Sequence, residues 1–243
     1  MLLDSKEDSE LNSESSFESS NTYDSMMKVK SISLNSKSKD FISLDISNFI
    51  ASLQSSTNAT KAEVSSKSSF SDLNVTSNIL DIGISDASYD ISLVDVDKDS
   101  LEELRLLLRK SRTNNSMDLL STIKDSIIDI FGKGLTLNIK DISINNINLN
   151  GDNLDGFKIE SKLNFKEDKN LSQKINYAPL FIAQNLDVDF KFRISEKLYS
   201  KLAYIQPVIL FTNNYAIKKN GELHFDFTLN ETGFKVNGKA LQK

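Results

Sequence analysis

The sequence predicts an α+β fold, in which a curved, mostly antiparallel β-sheet carries amphipathic helices packed on its apolar face. Three observations support this. Apolar and polar residues alternate with a period of two along most of the chain, which is typical of strands with one wet face. Two amphipathic helical patterns interrupt the strands. The order of strands, helix pair, long strand, helix and hairpin fits the α+β class.

The first strands are indicated by short runs in which apolar and polar residues alternate. Asn, Ser and Asp separate these runs, so the sequence indicates turns without fixing where each turn begins and ends. The apolar members of these runs are Val29, Ile32 and Leu34; Ile42, Leu44 and Ile46; Leu73 and Val75; Leu80, Ile82 and Ile84; Tyr89, Ile91 and Leu93.

Two helices follow in the middle of the chain. Asp97 or Asp99 can cap a helix that runs to about Lys110, and a second helix is predicted from about Met117 to Phe131, ended by Gly132 and Gly134. The apolar side chains of the two helices are Leu101, Leu104, Leu107, Leu108, Leu120, Ile123, Ile127, Ile130 and Phe131. We expect these side chains to cover the dry face of the sheet.

The longest strand pattern spans residues 135–149, and its apolar side changes phase at Lys140-Asp141 and at Asn145-Asn146. Bulges or bends there would keep one face dry. A partner strand over 157–165 and a polar stretch over 166–176 come next.

The final unit begins with strict alternation over 186–194, after which Ser195 can cap a helix through Tyr204 that Pro207 stops. Further strands are expected at Val208 to Phe211, after a turn near Asn213-Asn214 at Leu223 to Leu229, and at Phe234 to Val236.

Composition excludes several functions. The 243 residues contain no Cys, no Trp and one His, which rules out disulfides, cysteine nucleophiles and structural zinc sites of the usual kind.

Residues 1–25 carry a net charge of −6, so the net charge of the remaining residues is about +1. A near-neutral body argues against nucleic-acid binding.

The domain organisation follows from the same charge distribution. Residues 1–25 are predicted to be a disordered, acidic, Ser-rich segment, serving as a solubilising leader or linker, with an interaction tail or phosphorylated switch as the alternative. Residues 26–243 are predicted to form a single α+β domain, with two sub-units joined near 166–176 as the alternative.

Two motifs resemble known binding loops but lack essential residues. Asp95 to Asp99 resembles the start of a calcium loop, yet Ser100 and Leu106 stand where glycine and glutamate are required. Gly233 to Ala240 nearly spells a phosphate-binding loop but ends in Ala240 instead of Ser or Thr. We therefore interpret the first as a helix cap and the second as a turn at Asn237-Gly238.

His224 is the single histidine, and it falls on the polar side of a strand, opposite in phase to Phe225 and Phe227. One histidine without an oriented nucleophile does not indicate catalysis. The basic cluster of Arg105, Arg109, Lys110 and Arg112 is interpreted as favourable charge at a helix C-terminus. The sequence thus predicts no catalytic, cofactor-binding or metal-binding residues and no cofactor.

Four segments, in order, resemble the YdgA-like family of bacterial envelope proteins of unknown function. They are ILDIGISDASYDISLVDVDKDSLEELRLLL (79–108), IIDIFGKGLTLNIKDISINNINLNGDNLDGFKIESKLNF (127–165), LDVDFKFRISEKLYSKLA (186–203) and GELHFDFTLNETGFKVNGKAL (221–241). The resemblance implies an N-terminal membrane anchor, a longer front half and a periplasmic, inner-membrane-associated location. The chain shows no signal, anchor or membrane span, so a cytoplasmic location is the alternative if Met1 is the true start.

The leading functional hypothesis is a non-enzymatic, envelope-associated domain that makes contacts with other envelope proteins. The alternative is lipid or acyl-chain binding in a β-groove, and a hydrolase using carboxylates or His224 is the least favoured option. The first two differ in one structural feature, namely whether the helical side chains Leu101, Leu104, Leu107, Leu120, Ile123 and Ile127 fill the apolar face. Specific ligands and the oligomeric state are not indicated by the sequence.

Overall fold

The computed structural model describes residues 3–8, 14–15, 22–36, 42–111, 117–177, 183–205 and 214–240. The strands are β1 (Leu3–Asp8), β2 (Glu14–Ser15), β3 (Thr22–Ser36), β4 (Ile42–Thr57), β5 (Lys61–Ser77), β6 (Asp81–Asp97), β7 (Leu135–Leu149), β8 (Asp152–Phe165), β9 (Leu186–Ser195), β10 (Ile217–Lys219), β11 (Glu222–Asn230), β12 (Gly233–Val236) and β13 (Lys239–Ala240). The helices are α1 (Lys98–Ser111), α2 (Met117–Gly132), α3 (Leu171–Tyr177) and α4 (Glu196–Ile205).

All the strands belong to one antiparallel sheet with the order β1-β3-β4-β5-β6-β7-β8-β9-β11-β12-β13, while β2 pairs with β3 and β10 with β11. From β3 to β9, each strand pairs with the next strand in sequence, so the sheet is a long meander. The molecule exposes 16543 Å² of surface, whereas a compact protein of this mass exposes about 10,900 Å². Within the described part of the chain, the sheet is a single layer, because its strands pair edge to edge in one sheet.

The predicted α+β fold with helices packed on the apolar face is wrong, although the predicted antiparallel pairing is confirmed. Strand residues dominate the described part of the chain, and the helices lie near the strand ends. Helix α1 contacts mainly α2, and α2 also contacts α3. An amphipathic helix needs a partner for its apolar stripe. Here α1 and α2 find that partner partly in each other and partly in the strand ends, and α4 finds it in the ends of β8, β9 and β11.

The predicted helix caps are confirmed. The backbone N–H of Ser100 donates to Asp97 Oδ1 at 3.0 Å and begins α1, and the backbone N–H of Leu198 donates to Ser195 Oγ at 3.1 Å and begins α4. Gly134, at φ 75°, follows α2 in the left-handed conformation. Helix α3 lies within the stretch that was predicted only to be polar.

Two small cores hold the helices against the sheet. One joins Leu198 and Tyr199 of α4 to Ile194, Leu223 and Phe225, with Leu154 beside them. The other joins Ile130 of α2 to Ala62, Val96 and Leu135, with Leu101, Leu104, Phe131 and Phe165 packed around it. Because β8 begins near the first core and ends near the second, the cores lie at opposite ends of the strands.

Some predictions concern residues outside the described part of the chain, namely the strand at Val208 to Phe211, Pro207 and Arg112. The division into a disordered segment and one domain stays a prediction.

Candidate functional site

One face of the sheet carries mostly apolar rows, interrupted by serines, that run across the strands. The pairing registers of neighbouring strands align side chains into these rows, because paired residues point to the same face. One central row contains Met27, Ala51, Ser68, Tyr89, Ile142, Ile159, Phe192 and Phe225. The next row contains Ser25, Leu53, Ser66, Ile91, Ile139, Ser161, Phe190 and Phe227.

These two central rows contain no charged residue. Beyond them, the alternation of apolar and polar residues changes phase along one line across the sheet, which we call the crease, and the apolar residues therefore stay on the same face. In each of six adjacent strands, two residues, instead of the usual one, separate two successive apolar residues. These six places lie side by side across the sheet. The positions where pairing is interrupted are Lys30, Asn48, Ser71, Asp86, Asn145 and Gly156.

The backbone at this crease has the conformation that such a phase change needs. Asn48 and Asp86 adopt positive φ angles of 51° and 52°, which Asn and Asp tolerate better than most residues. A Cβ atom on Gly156 would lie 1.7 Å from the carbonyl oxygen of Ile144, so this position requires glycine. The phase change predicted at Asn145-Asn146 is thus part of a crease that spans six strands.

The second phase change predicted on the long strand is also confirmed. The register between β7 and β8 shifts between Ile139 and Ile142, and the register between β6 and β7 shifts between Asp90 and Ile91. This bulge places Lys140 and Asp141 between two apolar residues that stay on the same face.

Helices cover the apolar face at one end of β5 to β8 and at the opposite end of β7 to β11, and they leave the strip between these two ends uncovered. Side chains below the helices are almost fully buried, as at Leu135, Ile194 and Phe225. Between the helices, the apolar side chains are partly exposed, and Tyr89 is 38% exposed. We call this strip the trough, and its floor consists of Tyr89, Ile91, Ile139, Ile142, Ile159, Ser161, Phe190 and Phe227.

The trough is narrow. On β8, Phe157 packs against the α4 core and Phe165 against the α2 core. Eight residues separate them, which is about 27 Å at the rise of a β-strand, and the helical side chains occupy part of that width. Leu101 and Leu104 of α1 pack in the core at its edge, but two apolar side chains of α2 do not fill it: Leu120 is 63% exposed and Ile127 is 39% exposed.

A cluster of hydroxyl groups lies in the trough where the aliphatic floor stops at β5. Tyr89 Oη and Ser66 Oγ are 3.1 Å apart, and either can be the donor. Ser68 is paired directly opposite Tyr89 in the register. The sequence analysis missed Ser66 and Ser68, because serine is so common in this chain that these two carry no distinguishing signal.

The opposite face of the sheet is polar and internally hydrogen-bonded. Asp141 accepts hydrogen bonds from Ser88 and from Ser143, the latter at 2.9 Å. Lys158 Nζ is 2.9 Å from Glu160 Oε1, and this hydrogen bond raises the pKa of Lys158 and lowers that of Glu160. These charges satisfy one another on the face exposed to water.

A second polar cluster lies at the α1–α2 end of the sheet, beside a cavity of about 480 Å³. Lys133 Nζ donates to Asp97 Oδ1 at 3.0 Å and to Ser100 Oγ at 2.6 Å. Burial raises the pKa of Asp97, but the hydrogen bonds from Ser100 and Lys133 outweigh burial and hold its pKa below the usual range. The cluster joins the start of α1 to the end of α2, and this role in the fold explains its ion pairs and hydrogen bonds.

Another cavity, of about 730 Å³, lies beside α4 and is lined by residues that include Leu149, Leu154 and Ser200. Both carboxylates on its lining are paired, Asp152 with Lys201 and Glu196 with Lys218. Its lining therefore presents mostly apolar surface and no free charged pair that would indicate catalysis.

The motifs weighed in the sequence lie away from the trough. His224 Nε2 is 3.0 Å from Glu222 Oε2 on the polar face. The calcium-like segment forms the cap of α1, and Asn237 and Gly238 form the expected turn with φ angles of 49° and 75°. Arg105 in the basic cluster pairs with Glu102 at 3.1 Å.

Comparison with protein-family models, with curated proteins and with solved structures finds no match. The YdgA-like resemblance therefore stays a prediction. Among the described residues, no helix combines the length and the apolar character needed to cross a bilayer. The same residues contain no cluster of three or more His, Cys, Asp or Glu side chains suited to a metal ion.

Proposed function

We propose that the protein is a non-enzymatic binding protein whose trough holds the acyl chains of lipids. The observation that carries this proposal is the uncovered apolar strip between the α1–α2 pair and α4. The sequence left two alternatives open according to whether Leu120, Ile127 and the other helical residues fill the apolar face, and the exposure of these two side chains favours lipid.

The apolar surface of the trough favours an occupant that shields it from water. Soluble monomers rarely expose contiguous apolar patches larger than a few hundred Å², and each buried methylene group contributes about 0.8 kcal/mol. Rows that cross eight strands provide far more apolar contact than a scattered set of exposed side chains would. A long hydrocarbon chain can cover such a strip without requiring any hydrogen bond.

The shape of the trough favours a thin occupant over a broad one. Helices α1 and α2 stand at one end of β5 to β8, and α4 stands at the opposite end of β7 to β11, so the two walls face each other across β7 and β8. A chain of methylene groups fits between the walls and lies across the strands. Ion pairs are absent from the two central rows of the described strands, which is consistent with an apolar ligand.

A second candidate, contact with other proteins, is favoured by apolar side chains at the β3–β4 side of the sheet. Met26, Met27, Ile50 and Leu53 are each about two-fifths exposed. They lie on both faces of these strands, outside the walled part of the trough. Apolar side chains on both faces of these strands suit contacts with other proteins more than contact with a single lipid chain.

Native mass spectrometry of the protein after mild extraction from cells tests the proposal. The expected spectrum contains masses above that of the 243-residue chain, and the additional mass is lost in organic solvent and recovered as lipid. Bare monomer after mild extraction would contradict lipid binding, whereas co-purified protein subunits would support the second candidate.

The envelope location and the membership of the YdgA-like family are proposals of the same kind. They are supported by the four ordered segments over 79–241. Fractionation of cells that express the protein from its own gene, with detection by antibody, tests the location.

A further inference from the structure

We propose that the trough takes a single fatty acyl chain of about sixteen carbons, with its neutral ester or carboxylic acid end bound by Ser66, Ser68 and Tyr89. This inference rests on the proposed function and adds the orientation, the length and the headgroup chemistry of the ligand.

The pair of hydroxyl groups of Tyr89 and Ser66 has one more hydrogen-bond donor than the bond between them uses. Tyr89 and Ser66 carry one hydroxyl proton each, and the bond of 3.1 Å between their oxygens uses one of the two. The other proton is left to donate to a ligand oxygen. Because Tyr89 is 38% exposed, its hydroxyl group can be reached from the trough.

The neutrality of the cluster determines the headgroup. Phosphate and carboxylate groups are bound most strongly by cationic partners such as Arg and Lys. The row that contains Ser66 and the row that contains Tyr89 have no such residue. Hydroxyl donors match the carbonyl oxygen of an ester or of a protonated acid, so we infer an uncharged head.

The length follows from strand spacing. The floor runs from Ile91 on β6 through Ile139, Ser161 and Phe190 to Phe227 on β11. These four steps between strands span about 19 Å. A zigzag carbon chain with bonds of about 1.5 Å and angles near 111° advances about 1.25 Å per bond. About fifteen bonds, or sixteen carbons, therefore fill the floor.

The far end of the floor is defined by aromatic side chains. Phe190 and Phe227 have ring centroids 5.6 Å apart, and Phe227 stacks against Phe234 at 6.1 Å. Beyond β11, the paired strands β12 and β13 have only four and two residues, so the long apolar floor ends there. We place the methyl end of the chain on Phe227.

Titration with fatty acid methyl esters of 10 to 20 carbons, delivered from cyclodextrin, tests the length. We expect affinity to rise about fourfold for every two methylene groups, since about half of each group is covered, and to level off near sixteen carbons.

The headgroup site is tested by a variant that lacks one hydroxyl group. Tyr89→Phe should weaken binding of the sixteen-carbon ester about fivefold. Tyr23→Phe, on the same face but outside the trough, is the matched control and should have no effect.

The orientation is tested with two sixteen-carbon methyl esters that carry a photoreactive diazirine near the ester or near the methyl end. The first should label peptides of β5 and β6, and the second peptides of β9 and β11. Reversed labelling, an equal loss in both tyrosine variants, or affinity that keeps rising to twenty carbons would overturn the inference while leaving lipid binding intact. Absence of binding to every ester would overturn the proposed function as well.

Discussion

Replacing Ile142 with aspartate tests the trough most directly. Ile142 is paired with Tyr89 on one side and Ile159 on the other, in the middle of the floor, and it is partly exposed. The substitution places a carboxylate in a row that otherwise contains no charge. A bound acyl chain would have to cover that carboxylate or move away from it.

The expected loss of affinity can be worked from the cost of covering the new group. Burying a polar group without a partner costs about 2 kcal/mol in mutational data, which corresponds to an affinity about 30-fold lower. The fold itself should lose less than a fully buried site would. Removing a half-buried isoleucine costs about 1 kcal/mol, and aspartate in a strand costs about 1 kcal/mol more.

Binding of a sixteen-carbon methyl ester, measured by displacement of a fluorescent fatty acid analogue, separates these effects. Asn138→Asp is the matched control, because it adds the same charge to the same strand on the polar face, opposite Lys162. The control should retain both stability in urea and affinity. If Ile142→Asp binds the ester as tightly as the parent protein, or if both variants lose affinity equally, the trough is not the binding site.

Three further predictions concern the fold. Phe225→Ala removes a 2% exposed side chain from the α4 core and should cost about 3–5 kcal/mol in urea unfolding, whereas Phe234→Ala, which removes a 39% exposed ring, should cost far less; equal losses would contradict this core. Asp86→Val should cost about 2 kcal/mol, because a β-branched residue is strained at φ 52°, and Asp86→Gly should be neutral or stabilising. Asp97 has a lowered pKa in the folded protein, so its contribution is present above pH 3.8 and is lost as pH falls through the folded value; Asp97→Asn should lower stability at pH 7 and flatten the loss of stability below pH 3.8, and an unchanged acid profile would show that the carboxylate contributes nothing.

The strands of the second half could be predicted from sequence because their alternation is strict. On β9 and β11, every second residue is apolar over the whole strand, and the predicted boundaries agree with the structure to within a residue or two. The helix caps at Asp97 and Ser195 could be predicted equally well, since capping depends on residues three positions apart. Local chemistry of this kind is contained in a short window of sequence.

The strands of the first half were harder to recognise. In β5, the segment from Lys61 to Ser69 contains two apolar residues, Ala62 and Val64, among serines and charges, so alternation gives no signal. The strand forms because β4 and β6 pair with it along almost its whole length. Tertiary pairing here overrides a weak local preference.

The placement of the helices could not be derived from their amphipathic patterns. The pattern of α1 shows that Leu101 and Leu104 need a partner, but the pattern is the same whether the partner is a sheet or another helix. In the structure, part of that need is met by α2 and by the ends of β5 and β6. The open face, and with it the candidate site, follows from this choice of partner.

The crease shows why the open face is a property of the whole sheet and not of any one strand. A single strand that changed phase alone would turn half of its apolar residues toward water. Here Asn48, Asp86 and Gly156, on alternate strands, fall at one level, and Lys30, Ser71 and Asn145 face them on the intervening strands. Because all six strands change phase together, the apolar rows remain on one side both above and below the crease. A continuous apolar surface that no helix covers in its middle is what a long, thin, apolar ligand requires.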